Sequence, residues 1–184
     1  ESERLVLDVA AALEAANLRG DGTLDSIITH VLPGLMQSCP ESFGLLIRRL
    51  HRTEGERSPT PTTRAGTASV ASDARPLAAI VGLLSVGKRT GCYADFRDLH
   101  RYGIDSFGIL REAVVDSRED VRLAALELVC ASSVATIDIP PAEELAIVSR
   151  YFDAAMLCTS AVAREQNITS FGRLLTRIKL SAAA

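Results

Sequence analysis

The chain has 184 residues, is rich in alanine and leucine, and contains 4% aromatic residues and no tryptophan. This composition favours closely packed helices over a β-sandwich. A formal net charge of −3 argues against an autonomous nucleic-acid-binding domain, which usually has a large positive excess, although a local basic stripe is compatible with it.

No basic and apolar leader opens the sequence, and the longest apolar stretch, residues 77–86, has about half the length that spans a bilayer. The sequence therefore predicts a soluble, cytoplasmic protein. Because the chain begins at Glu1 and ends in a run of alanines, we expect a fragment of a longer protein.

Residues 1–52 carry three apolar stripes at helical spacing, which predicts helical repeats. The first helix is predicted over residues 2–18, and Thr23 is predicted to cap the second. Pro33 lies inside the second pattern and should kink or shorten that helix. A third, shorter stripe follows Pro40. The residues expected to face inward are Leu5, Val9, Ala12, Leu13 and Ala16, then Leu24, Ile28, Val31 and Leu35, then Phe43, Leu46, Ile47 and Leu50.

Residues 53–75 differ from the flanking sequence, because they are rich in Ser, Thr, Pro and Gly and offer almost nothing to bury. Such a segment cannot recover its ordering entropy and is predicted to be a disordered loop. Ser58-Pro59 and Thr60-Pro61 could be phosphorylated there, but such dipeptides are common in loops.

Helical patterns return at Pro76, and residues 76–184 are predicted to form HEAT-like helical repeats. The stretch from Ile109 to Val129 is typical of such a repeat: an apolar helix, an acidic turn and a second helix opening at Asp120-Val121-Arg122. Ser117 is predicted to cap the second helix in a capping box with Asp120. The residues expected to face inward are Ala113, Val114, Val121, Ala125, Leu128 and Val129 in this pair, and Leu145, Val148, Phe152, Ala155, Met156, Ile168, Phe171, Leu175 and Ile178 in the next.

Together these patterns predict an all-α fold, a HEAT/armadillo-like helical-repeat solenoid with one disordered insertion. The pairs near residues 104–133 and 141–180 have the roughly forty-residue period of HEAT units. A repeat of this kind must stack on its neighbours to bury its apolar face, and the extended surfaces that result serve for binding.

No set of residues has the spacing of a catalytic or metal site. Cys39, Cys92, Cys130 and Cys158 lie far apart, with no CxxC pair, and are predicted to be reduced thiols that pack as small apolar residues. The three histidines have no nucleophile or carboxylate at a triad spacing. The sequence therefore predicts no catalytic residue, no metal and no cofactor.

One short motif resembles a phosphate-binding loop. Residues 82–88, GLLSVGK, match its first part, but Arg89 occupies the position where a Ser or Thr would hold magnesium. A helix that ends at Gly87 with basic residues at its C-terminus is the favoured interpretation.

The last predicted helix carries a basic set that is a candidate for RNA or partner contact: Arg164, Arg173, Arg177 and Lys179. Arg173 and Arg177 are four residues apart and are expected to share an outward face. Favourable charge at a solvated helix C-terminus is the simpler account. Arg122 is expected to be structural, bonding to Asp116 or Asp120.

The segment from residue 104 to residue 180 resembles part of the THADA (thyroid adenoma-associated protein) family of very large, cytoplasmic HEAT-repeat proteins. The shared pattern is an acidic turn before V-R-x-x-A-L-x-L-L, a Cys-Ser run, Pro before E-L, and a long helix ending in L-x-R-I-R. It falls on Asp120, Val121, Arg122, Ala125, Leu126, Leu128, Cys130, Ser132, Pro140, Glu144, Leu145, Leu174, Leu175, Arg177 and Ile178. The chain departs from the family at Val134, Ala163-Arg164-Glu165 and Gly172-Arg173, which reduces its positive charge.

The resemblance implies a non-catalytic scaffold subunit, partner of an FtsJ-type RNA methyltransferase in 2′-O-ribose methylation of the tRNA anticodon loop. The partner would bind the methyl donor, and the solenoid would position the enzyme or the tRNA, which it could contact through the complex. The alternative is a generic HEAT or armadillo adaptor for trafficking or cytoskeletal proteins, with no RNA role. A nucleotide hydrolase using residues 82–88 would need a strand before Gly82.

Overall fold

A computed structural model describes residues 2–19, 22–51, 76–135, 137–157 and 160–183. The predicted loop over residues 53–75 and the thiol of Cys158 lie outside the described residues. Within these ranges the secondary structure is entirely helical, which confirms the all-α prediction.

The N-terminal part contains four α-helices: α1 (Ser2–Arg19), α2 (Thr23–Ser26), α3 (Leu32–Ser38) and α4 (Ser42–His51). A π turn over Ile27–Val31 joins α2 to α3. Pro33 has no N–H to donate to the carbonyl one turn before it. The π turn, after which the N–H of Leu32 donates to the carbonyl of Ile27, lies directly before this proline. The predicted shortening at Pro33 is wrong, because the helical path continues to Ser38. Only the winding changes, from α to π, before the proline.

The described C-terminal residues, 76–135, 137–157 and 160–183, form five α-helices and one 3₁₀ helix. These are α5 (Leu77–Thr90), the 3₁₀ helix Phe96–Tyr102, α6 (Ser106–Ala113), α7 (Glu119–Ala131), α8 (Pro141–Met156) and α9 (Ala161–Ala183). Helix α6 packs on α8, α7 packs on α9, and α8 packs on α9, so the last four helices form two stacked hairpins.

Helix α5 is the centre of the core, and it contacts α1, α3, α4, α6 and α7. Residues 78–84 are all buried, so the helix is apolar on every side, as an internal helix should be. A line of aromatic rings, Tyr102, Phe43, Tyr93, Phe96 and Phe107, runs beside it with successive centroids 5.6–6.4 Å apart.

Two predicted helix caps are wrong. Helix α2 begins after the left-handed Gly22 (φ 78°) and has no side-chain cap, so Thr23 is its first residue. Helix α7 begins at Glu119, and Ser117 does not cap it. Asp116 Oδ1 instead accepts the N–H of Arg118 at 2.8 Å. The capping box lies elsewhere, at Asp95 and Asp98 of the 3₁₀ helix.

The two glycines of the phosphate-loop look-alike are required by packing. A Cβ at Gly82 would overlap the side chain of Ile28, and a Cβ at Gly87 would overlap the ring of the fully buried Phe43. Glycine at these positions therefore lets neighbouring helices approach α5 closely.

We expect Gly87→Val to lower the free energy of unfolding by about 1–3 kcal/mol, because the buried Phe43 ring has no free space to move into. Gly172→Ala in α9 is the control, since a Cβ there meets nothing within 4 Å and gains helix propensity of up to about 1 kcal/mol. Urea unfolding of the full chain measures both. Equal stability of Gly87→Val and the unchanged chain would contradict the close approach of α4 and α5.

Candidate partner-binding surfaces

Lys88, the lysine of the phosphate-loop look-alike, forms a structural ion pair. Its Nζ lies 2.6 Å from Oδ2 of Asp138, whose side chain is fully buried, and it also donates to the carbonyl of Ala94. The ammonium stands over the rings of Tyr93 and Phe96, 5.6 and 5.7 Å from their centroids. Lys88 therefore attaches the segment after α7 to the end of α5.

Residues 82–88 consequently form no phosphate-binding loop. They lie inside α5, which extends to Thr90, and the left-handed Gly91 (φ 77°) ends it with a bond from Cys92 N–H back to the Gly87 carbonyl. The predicted end at Gly87 is wrong by three residues. The residues directly before Gly82, 77–81, are helical where that alternative needs a strand, so the structure contradicts the nucleotide-hydrolase alternative.

The acidic turn between α6 and α7 is held by two arginines. Nη1 of Arg122 donates to the carbonyls of Asp116 and Ser117 at 2.7 and 2.9 Å, which confirms its predicted structural role, with backbone oxygens as the acceptors. Arg118 pairs with Asp120 at 2.6 Å and keeps the pKa of that carboxyl below its usual value. Arg118 also donates to the Asn17 carbonyl, so the turn contacts α1.

Arg177, predicted to face outward, is buried. Its side chain is 4% exposed, and its Nε lies 2.7 Å from Oε1 of Glu144, which is 3% exposed. Nη1 donates to the Ser132 carbonyl at 2.5 Å. The outward placement of Arg177 is therefore corrected: the side chain joins α9 to α8 and to the end of α7, and no RNA can reach it.

The rest of the predicted basic set does not form one ridge. Arg164 and Arg173 are both exposed, but they are nine residues apart on α9, about two and a half turns, and so lie on opposite sides of the helix. Arg173 lies toward Cys130 of α7, where burial raises the pKa of the free thiol and the arginine opposes that shift. The side chain of Lys179 lies outside the described residues.

The inward faces of α8 and α9 also differ from the prediction. Val148 is buried as expected, but the other buried residues of α8 are Glu144, Ile147 and Tyr151. On α9 the buried residues are Ser170, Leu174 and Arg177, with Phe171 and Ile178 packed partly against the core. Several residues predicted inward are exposed instead: Leu145, Phe152, Met156, Ile168 and Leu175.

These exposed residues, together with Leu157, Val162 and Arg164, define a surface that we call the outer apolar face of α8 and α9. Seven of its large apolar side chains are between 43% and 82% exposed. Phe152 and Phe171 pack ring to ring at 5.2 Å. Beside them is a cavity of about 210 Å³ lined by both rings with Met156, Arg164 and Ile168. Aromatic residues, methionine and arginine are the side chains enriched in protein interfaces.

A second cavity of about 190 Å³ adjoins the first, and Arg122, Tyr151 and Asn167 line it. The Tyr151 hydroxyl donates toward Oδ1 of Asn167 at 3.0 Å. Burial raises the pKa of this phenol, so it stays protonated at neutral pH. The two cavities share Ala155 and Asn167, and together they form a groove along the α8–α9 hairpin.

The described residues contain no group of three or more His, Cys, Asp or Glu side chains placed to hold a metal ion. Cys39, Cys92 and Cys130 are free, half-buried thiols, in agreement with the prediction for these three. Within the described ranges, each helix is too short or too polar to cross a membrane.

Stacked helical hairpins with exposed apolar and basic surfaces define this chain as a helical-repeat protein. A family model described as Trm732, TPR repeats, matches residues 12–184, and the chain belongs to that family. Trm732 is the yeast homologue of THADA, which confirms the predicted resemblance. Neither the curated proteins nor the solved structures give a significant match.

The Trm732 family is a non-catalytic accessory of the FtsJ-type enzyme Trm7 in 2′-O-methylation of the tRNA anticodon loop. The predicted function, partner and absence of catalytic activity are thus confirmed for the family. Its repeats are described as TPR, whereas the sequence was interpreted as HEAT-like. The first helices of the two hairpins begin 35 residues apart and the second helices 42 apart, values near the TPR and HEAT periods respectively.

Proposed function

We propose that this chain is a cytoplasmic scaffold that holds an FtsJ-type methyltransferase through the outer apolar face of α8 and α9. The observation that most directly supports this proposal is the match to the Trm732 family over residues 12–184. The enzyme supplies the methyl donor and the chemistry, and the repeats supply a rigid surface that positions it relative to tRNA.

The composition of this face supports an enzyme contact over an RNA contact. Its exposed area is dominated by large apolar side chains around the Phe152–Phe171 pair, with Arg164 beside the cavity. A phosphate surface would instead need an excess of cations. A partner helix with apolar residues toward Phe152 and Ile168 and one carboxylate toward Arg164 fits this surface. Arg173, on the opposite side of α9, is proposed as a secondary contact of the same complex.

We expect Ile168→Asp in the full-length protein to reduce recovery of the methyltransferase at least tenfold, because it places a charge at the centre of an apolar contact. Thr169→Asp is the matched control, since it adds the same charge at an exposed neighbouring position. Recovery is measured by affinity pulldown with RNase treatment of half the sample, and 2′-O-methylation of the anticodon loop is measured in parallel.

Three outcomes would contradict the proposal. If the Ile168→Asp variant recovers as much methyltransferase as the unchanged protein, with and without RNase, the outer apolar face is not the enzyme contact. Loss of the enzyme after RNase in the unchanged protein would show that RNA, and not this face, joins the two. A lower unfolding temperature of the free Ile168→Asp protein would show that another helical repeat covers the face.

A further inference from the structure

Two arginines meet at a tyrosine where α4 packs against the 3₁₀ helix. Arg48 is in the last turn of α4, and Arg101 and Tyr102 end the 3₁₀ helix. The guanidinium carbons of Arg48 and Arg101 lie 5.5 and 4.8 Å from the centroid of the Tyr102 ring. Nη2 of Arg101 donates to the carbonyl of Cys92 at 3.3 Å, just beyond the end of α5. The C-terminal ends of three elements therefore converge on Tyr102.

Positive charge is concentrated in these three elements. Together, α4, α5 and the 3₁₀ helix contain five arginines and one lysine but a single aspartate, Asp98, in a chain whose net charge is −3. Asp98 accepts the N–H groups of Ala94 and Asp95 through Oδ2, and its charge acts on Arg97 of the same element.

Only two of the six cations pair with carboxylates in the described part of the chain: Lys88 with Asp138 and Arg97 with Asp95. Arg48, Arg89 and Arg101 are exposed and form no ion pair with a described residue. In the described part of the chain, Arg48 and Arg101 donate to the backbone carbonyls of Gly44 and Cys92 and pair with no carboxylate. Their neighbouring charges therefore create a local positive potential for an external anion.

The chemistry of this group fits an RNA backbone. A guanidinium next to an aromatic ring keeps N–H donors at its edge, and two of these donors match two oxygens of one phosphate. Tyr102 is half-buried and packs against both exposed guanidinium groups, so the ring holds the two arginines close together. By contrast, seven of the exposed large apolar side chains lie on or between α8 and α9, the proposed protein contact.

We propose that Arg48 and Arg101, held together by the ring of Tyr102, form an RNA-binding patch that contacts phosphates through the two guanidinium groups. This proposal rests on the tRNA role of the family and adds a site for the RNA itself. It separates RNA binding at the ends of α4, α5 and the 3₁₀ helix from enzyme binding on α8 and α9.

The test is fluorescence anisotropy of labelled, transcribed tRNA with the full chain at several salt concentrations. Replacing both Arg48 and Arg101 with Gln is expected to weaken binding at least tenfold and to reduce the slope of log K against log salt by about two, because two phosphate contacts are lost. Tyr102→Leu keeps the charge but removes the ring that positions both guanidinium groups, and it is expected to weaken binding about fivefold without changing the slope.

The matched control replaces Arg4 and Arg150 with Gln, two exposed arginines on α1 and α8 that lie outside the patch. An equal loss of binding in the control would overturn the proposal in favour of diffuse electrostatic attraction. Absence of tRNA binding by the unchanged chain, or stronger competition by poly-glutamate than by RNA of equal charge, would overturn it as well. Recovery of the methyltransferase after RNase tests the scaffold separately, and we expect the Arg48/Arg101 variant to leave it unchanged.

Discussion

Arg177→Met is expected to lower the free energy of unfolding by about 3–5 kcal/mol, because it removes the cation that lies 2.7 Å from the buried carboxylate of Glu144. Glu144 and Arg177 are each less than 5% exposed, so water cannot replace the lost partner. The Ser132 carbonyl at the end of α7 loses its donor in the same step. Urea unfolding followed by circular dichroism measures the change as a lower midpoint.

The control for this variant is Arg173→Met, which removes the same charge one turn earlier from an exposed position. Its effect should stay within about 0.5 kcal/mol. Replacing the pair together, Glu144→Leu with Arg177→Met, should restore most of the stability, since apolar side chains then take the place of this ion pair. If Arg177→Met and Arg173→Met unfold at the same midpoint, the ion pair does not hold α8 and α9 together.

Lys88→Met should have a comparable effect, a loss of about 3–5 kcal/mol, because Asp138 is fully buried and Lys88 is the cation paired with it. Methionine can fill the volume next to Tyr93 and Phe96. The loss of stability therefore measures the effect of the lost ion pair, without that of a cavity. Differential scanning calorimetry of the full chain measures it as a lower unfolding temperature.

Arg89→Met is the control for Lys88→Met, since it removes an exposed charge from the next residue of α5. A second measurement separates the structural role from the rejected nucleotide site: addition of Mg²⁺ and ATP should not change the unfolding temperature of the unchanged chain. If ATP raises the unfolding temperature and Lys88→Met abolishes that rise, residues 82–88 form a phosphate site.

The helices that were predicted best are those whose buried face is formed by the apolar stripe alone. In α7, Val121, Ala125, Leu128 and Val129 were all expected inward and are all buried. In α4, the four apolar residues of the stripe are fully buried. In such helices the buried stripe and the apolar stripe coincide, so helical spacing alone identifies the core face.

The same reasoning placed the wrong face of α8 inward. Its apolar residues Leu145, Phe152 and Met156 form a helical stripe, but the buried stripe includes Glu144 and Tyr151. A glutamate is buried only when a cation reaches it, and that cation, Arg177, lies on another helix. The pairing depends on how α9 packs, which local sequence does not specify.

The sequence by itself determined the helical-repeat class, the existence of nearly every helix and the family, because helical periodicity and the motif around Arg122 are local features. Only the tertiary structure decided which charges are buried and which are exposed. Burial of Arg177, pairing of Lys88 with Asp138 and convergence of Arg48 and Arg101 on Tyr102 each join residues at least thirty positions apart. Whether a charged side chain is buried or exposed depends on the partner that packing brings to it. Helical periodicity carries no information about that partner.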